Sequence, residues 1–134
     1  MNILKMLKKI KKIPLKVIKN NAGDIIKYLG KKNKYFNKFG EVYFSKIKKG
    51  YVKGWNLHKK TYCLITVPYG TVNFVFKDYK MINSKKITIS DISPILLVIP
   101  PNIWFKFSTK KKYSIIVNLI DRLHSNTETK KHPI

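Results

Sequence analysis

At 134 residues the chain has room for a single hydrophobic core. Apolar residues make up 44% of it and aromatics 13%, a globular rather than a disordered composition. The net charge is +23, which raises nucleic acid or an anionic membrane as partners. Arg122 is the sole arginine, however, so the charge is almost all lysine and lacks the planar fork that reads guanine or phosphate bidentately. Abundant Lys, Asn and Ile share A/T-rich codons, and a solvated lysine surface of compositional origin is the favoured explanation. Nucleic acid or membrane binding stays a third choice. No run reaches the roughly 18–20 apolar residues of a membrane-spanning helix, and Lys5, Lys8 and Lys9 interrupt any secretory signal between Met1 and Lys12. Cys63 is the single cysteine, so no disulfide framework exists and a cytoplasmic location is expected.

In chain order, residues 1–13 place Ile3, Met6, Leu7, Ile10 and Ile13 at three- and four-residue steps between lysines. That is the pattern of a cationic amphipathic helix, read as a basic N-terminal extension packed on or fraying from the domain, with membrane or partner binding as the rival. A single β domain is expected over 14–134. Residues 34–40 suit a turn or short helical piece. Val42 and Phe44 alternate with Tyr43 and Ser45, and Val72, Phe74 and Phe76 alternate with polar neighbours. Apolar runs follow at 62–67, 95–99 and 113–120. Turn signals separate them at Lys49-Gly50, Pro68-Tyr69-Gly70, Asn83-Ser84 and Pro100-Pro101-Asn102. Short strands at such spacing predict an all-β sandwich or barrel. From Arg122 onward the tail is polar, with no clear period.

Within this pattern Gly50, Asn56-Leu57-His58, Cys63 and Gly70 stand at the spacing of the first cupin signature, Gly-x5-His-x-His-x4-Glu-x6-Gly. Pro100-Pro101-Asn102 followed by Phe105 resembles the second. The segments 41–45, 50–60, 99–104 and 118–128 are similar to short cupins of the dTDP-4-dehydrorhamnose 3,5-epimerase-like group. The resemblance implies a cupin-type double-stranded β-helix (a jelly-roll barrel), usually dimeric, that takes a nucleotide-linked keto-sugar in surface-polysaccharide synthesis. It also implies proton removal beside a carbonyl without metal or other cofactor. Such chemistry needs a base within reach of the carbon acid, a donor for the enolate and an acid opposite.

Several positions depart from the family. Asn56 occupies the place of the basic histidine, Cys63 that of the enolate-stabilising lysine, Phe105 that of the second-signature histidine, and Ala22-Gly23 that of an Arg-Gly pair. Leu123 lies near the place of the acid tyrosine, and the segment that supplies the base's Asp partner in full-length epimerases lies beyond Ile134. What remains is His58 as the catalytic candidate, with Asn56 at the usual base position. Lys53, Tyr43, Trp55, Tyr62 and Trp104 are the candidate substrate contacts. Two-residue alternation puts Val52, Gly54, Asn56 and His58 on one face, so Lys53 points away unless a bulge at Gly54 re-aims it. His58 suits a base in a shifted role or a donor to the sugar, against a structural histidine on the barrel wall; as a metal ligand it stands alone. Trp55 and Trp104 suit ring stacking or core packing. Cys63 reads as an inert buried thiol, and Asp78 and Asp91 as turn residues. Glu128 fits a family acidic position without an assigned role. The alternative to catalysis is a sugar- or nucleotide-binding module or a partner subunit.

Overall fold

The computed structural model describes residues 3–134, and side-chain surroundings from Lys5 onward. Two five-stranded antiparallel sheets face each other. The first has the order β1 (Lys11–Pro14), β9 (Ile95–Ile99), β6 (Cys63–Tyr69), β11 (Tyr113–Ile120), β4 (Glu41–Lys48). The second has the order β12 (Thr129–Lys131), β5 (Val52–His58), β10 (Ile103–Ser108), β7 (Thr71–Asp78), β8 (Ser84–Ser90). Consecutive strands alternate between the sheets over much of the chain, the jelly-roll connectivity expected from the sequence. A small hairpin, β2 (Lys16–Ile18) with β3 (Ile25–Lys27), lies apart from both.

Alternating side chains build the core between the sheets. On β7, Val72, Phe74 and Phe76 are buried while their neighbours are partly exposed. Phe74 packs near Phe76 and Phe107, and Phe76 near Phe105. β6 is buried continuously from Cys63 to Val67 because it is covered on both faces. Its inner side chains join the core. Leu64 on the outer side packs with Leu96 and Val98 under Leu15, Tyr28, Leu29 and Tyr35, from the chain between β1 and β4. Asp78, fully buried at the end of β7, ties the following turn by accepting the N–H groups of Lys80, Ile82 and Asn83. Asp91 does the same for Gly70. Both aspartates therefore have the turn roles assigned from sequence.

The basic N-terminal segment differs from a uniform helix. A helix, α1, spans Ile3–Lys8, and from Lys11 the chain is a strand paired to β9. Leu7 and Ile10 are buried in the main core, so the segment is packed rather than free; residues 1–2 of the predicted helix lie outside the described residues. Residues 34–40 contain turns and no helix. The polar tail supplies a strand, β12, which the sequence reading did not foresee: Thr129, Lys130 and Lys131 pair with His58, Leu57 and Asn56.

Candidate functional site

β5 carries the decisive irregularity. Opposite it on β10, Asn56 pairs with Phe105 but Lys53 pairs with Phe107, so Gly54 and Trp55 together face the single residue Lys106. This two-against-one count is a β-bulge. Gly54 makes it possible: its φ is +124°, and a Cβ there would lie 2.7 Å from Cα of Lys106 and from the Phe105 carbonyl oxygen. The bulge changes the parity of the strand. Lys53, Asn56 and His58 all line the barrel interior, whereas Trp55 and Leu57 pack on the outer face with Trp104. The expected grouping of Val52 and Gly54 with Asn56 and His58 is corrected accordingly: alternation fails where one strand holds an extra residue.

Two adjoining cavities sharing Tyr43, Asn56 and His58 form the barrel mouth. The outer one, about 320 Å3, also touches Glu41, His124, Thr129 and Lys131. The inner one, about 120 Å3, reaches Ser45, Lys53 and Asn118 over a floor that includes Ile65, Phe105 and Ile116. Tyr43 comes from β4 in one sheet, and Asn56 and His58 from β5 in the other.

His58 is only 7% exposed. Its Nδ1 lies 2.9 Å from Oε2 of Glu128. The other carboxylate oxygen, Oε1, accepts the N–H groups of Lys60 at 3.0 Å and Thr61 at 2.9 Å. Burial alone would push the Glu128 carboxyl up; the bonds from His58, Lys60 and Thr61 outweigh it and bring it down to about 2. Glu128 is thus ionised and can only accept. Nδ1 of His58 must donate to it, which in the neutral ring leaves Nε2 as the lone-pair nitrogen. Phe105 stacks beside the imidazole with ring centres 6.2 Å apart and planes 24° apart. The arrangement is an imidazole held by a carboxylate in one tautomer, the same orienting device found in hydrolytic triads.

Around this dyad stand donors. Tyr43 accepts a bond from Nδ2 of Asn118 at 2.9 Å, which leaves its own O–H proton for a ligand. Burial pushes its phenol up to about 12, so it stays protonated. Lys53 donates to Ser45 at 2.9 Å, and Lys131 bonds the side-chain oxygen of Asn56. The mouth therefore joins the imidazole–carboxylate pair with one phenol, the amides of Asn56 and Asn118 and the ammonium groups of Lys53 and Lys131, with Glu41 and His124 at its outer side. Among the described residues, no group of three or more His, Cys, Asp or Glu gathers where it could hold a metal ion. Burial pushes the Cys63 thiol up to about 12, which keeps it a thiol.

Of the residues singled out from sequence, the mouth gathers His58, Asn56, Lys53 and Tyr43. Trp55 and Trp104 are buried in the outer-face cluster, and Tyr62 lies in a separate cleft beside Pro100 and Pro101. Glu128 as partner of His58, and Lys131, were missed. The polar tail had no periodicity to reveal a strand, although the acidic position at 128 was a visible signal.

No family model matches the chain, and no curated protein matches it. Solved structures do. A dTDP sugar isomerase from Desulfovibrio desulfuricans is 26% identical, with a TM-score of 0.87 over 94% of this chain and 85% of that one. A sugar 3,4-ketoisomerase from Thermoanaerobacterium thermosaccharolyticum, in complex with TDP, is 22% identical, with a TM-score of 0.82 over 94% and 90%. A dTDP-4-dehydrorhamnose 3,5-epimerase from Bacillus anthracis, with TDP and PPi bound, is 17% identical, with a TM-score of 0.81 over 92% and 78%. The chain has the jelly-roll fold of the cupin sugar-nucleotide isomerases and epimerases. The resemblance read between Gly50 and Gly70 is borne out, and the low identities are consistent with a divergent relative. Among the described residues, no helix is long and apolar enough to cross a membrane.

Proposed function

We propose that the barrel mouth binds a nucleoside diphosphate-linked keto-hexose and moves a proton beside its carbonyl. The observation that carries this reading is the His58–Glu128 pair, buried within reach of the Tyr43 phenol and two ammonium groups. In the step, Nε2 of His58 takes the proton from the carbon next to the carbonyl. The electron pair moves onto the carbonyl oxygen, where the Tyr43 O–H donates to the forming enolate. The imidazolium, steadied by Glu128, returns the proton. Delivery to the former carbonyl carbon, while the hydroxyl proton of the first carbon passes to the enolate oxygen, shifts the carbonyl. Delivery by a second acid to the opposite face of the original carbon, with the carbonyl re-forming and the imidazolium releasing its proton to solvent, inverts that carbon. Lys53 and Lys131 meet the diphosphate. TDP in two of the similar structures supports a ligand of that class.

On this reading the protein is a cytoplasmic homodimer in surface-polysaccharide sugar synthesis. The dimer is supported by the exposed apolar residues Val42 and Phe44 on the edge strand β4. The second reading, a non-catalytic sugar- or nucleotide-binding module, is favoured by Asn56. An amide cannot act as a base, and this one is already engaged by Lys131.

Incubation with TDP-4-keto-6-deoxyglucose in deuterated buffer, followed by proton NMR, decides between them. Loss of the ring-proton signal beside the carbonyl with the native chain, and its retention with His58→Asn, is expected. No exchange by the native protein at saturating sugar nucleotide would leave the binding module as the answer.

A further inference from the structure

Two aromatic residues outside the barrel mouth, Tyr79 and Trp104, meet on the outside of the second sheet. Leu57, Trp104, Tyr79, Asn102 and Met6 wall a cleft of about 450 Å3, and Lys59 and Lys130 stand on its rim. A smaller cleft of about 260 Å3, lined by Lys9, Tyr62, Pro100 and Pro101, meets it at Met6 and Asn102. Together they make one groove beside α1.

Its chemistry is one-sided. The lining holds three lysines, three aromatic rings and the Asn102 amide, and none of the chain's six carboxylates. Asp78 and Glu128, the acids nearest to it in sequence, are buried and bonded to backbone N–H groups. Among the described residues neither Lys59 nor Lys130 forms an ion pair. Tyr79 is 49% exposed, and the Lys80 ammonium lies 5.8 Å from its ring centre, which leaves the other ring face to a flat partner. Trp104, fixed by its Nε1–H bond to the Tyr79 carbonyl at 3.1 Å, forms the inner wall. Aromatic surface beside paired ammonium groups suits a ligand with a planar ring and a phosphate, and the volume lies in the range of small-ligand sites.

We propose that this groove is a second ligand site, on the opposite face of the sheet from His58, and that it takes a nucleoside phosphate. The base lies against Tyr79, with the edge of Trp104 as the back wall, and the phosphates lie between Lys59 and Lys130. It does not require the barrel mouth to be catalytic. The two sites share a wall: Asn102, at φ +67°, donates its N–H to the His58 carbonyl at 2.8 Å, and Lys59 donates its N–H to the Glu128 carbonyl at 2.9 Å.

Calorimetric titration of dTDP at about 150 mM salt, an ionic strength that screens scattered surface charge, tests the site. A Lys53→Glu chain, altered only at the barrel mouth, is expected to keep a dTDP-binding event. Adding Lys59→Glu and Lys130→Glu should weaken that event at least about tenfold. Tyr79→Ala should weaken dTDP but not pyrophosphate. The same charge reversal at Lys31 and Lys32, far from the groove, should leave binding unchanged. The proposal is overturned by loss of all binding in Lys53→Glu, by indifference to the groove substitutions, or by an equal effect of the distant pair. Pyrophosphate binding as tightly as dTDP would overturn the assignment to a nucleoside. Circular dichroism of each variant confirms the fold, which these exposed side chains do not support.

Discussion

Replacing Glu128 by Gln keeps the shape of the side chain and removes its charge. The carboxylate serves four donors: His58, the N–H groups of Lys60 and Thr61, and the Thr129 hydroxyl at 3.2 Å. An amide has one oxygen. If that oxygen keeps the two backbone N–H groups, the NH2 faces Nδ1 of His58, which must then accept. The ring switches tautomer, Nε2 carries the proton, and the base is lost. Loss of a positioned base costs on the order of 10²–10⁴ in rate. Stability falls too. The carboxyl lies at about 2 against an ordinary 4.5; at about 1.4 kcal/mol per unit, discounted for solvent screening, that is roughly 1–2 kcal/mol. The assay is deuterium exchange into TDP-4-keto-6-deoxyglucose by NMR, with urea denaturation beside it. A Glu128→Gln protein exchanging at the native rate would refute the reasoning, because it would show that the tautomer of His58 does not depend on this contact.

The same carboxylate predicts an acid limit. Its pKa is lower folded than unfolded, so its contribution is fully present above about 4.5 and is lost as pH falls through 4.5 towards 2. Urea midpoints measured from pH 6 to pH 3 should fall more steeply for the native chain than for Glu128→Gln; parallel curves would remove Glu128 from the acid response. Gly54→Ala places a methyl 2.7 Å from Lys106 Cα at a φ of +124°. It should cost more than about 2 kcal/mol in urea, and an unchanged midpoint would show that the bulge is not required. Lys53→Met should weaken dTDP-sugar binding at the mouth about tenfold while moving the thermal midpoint by less than a degree or two, since the ammonium group is exposed. Phe74→Ala, at a fully buried ring packed near Phe76 and Phe107, should cost about 3–5 kcal/mol; a smaller loss would mean that the sheets close over the gap.

The core of this protein was legible in its sequence because alternation is a local property. Val72, Phe74 and Phe76 on one face of β7, and the apolar runs of β6, β9 and β11, state which side of each strand avoids water. The turns at Gly50, Gly70 and Asn102 then set the strand lengths. The spacing from Gly50 to Gly70 further located the strand of the site, and with it His58 and Asn56. Local pattern could not settle which way Lys53 and Trp55 point. Their directions depend on a bulge that exists only because Gly54 lies against Lys106, some fifty residues along the chain. Nor could it place Glu128, whose segment is polar and becomes a strand only when β5 offers it an open edge. The sequence determined where apolar surface must hide. The tertiary pairing decided which polar groups meet, since a carboxylate seventy residues from an imidazole acquires its partner only through the register of two distant strands.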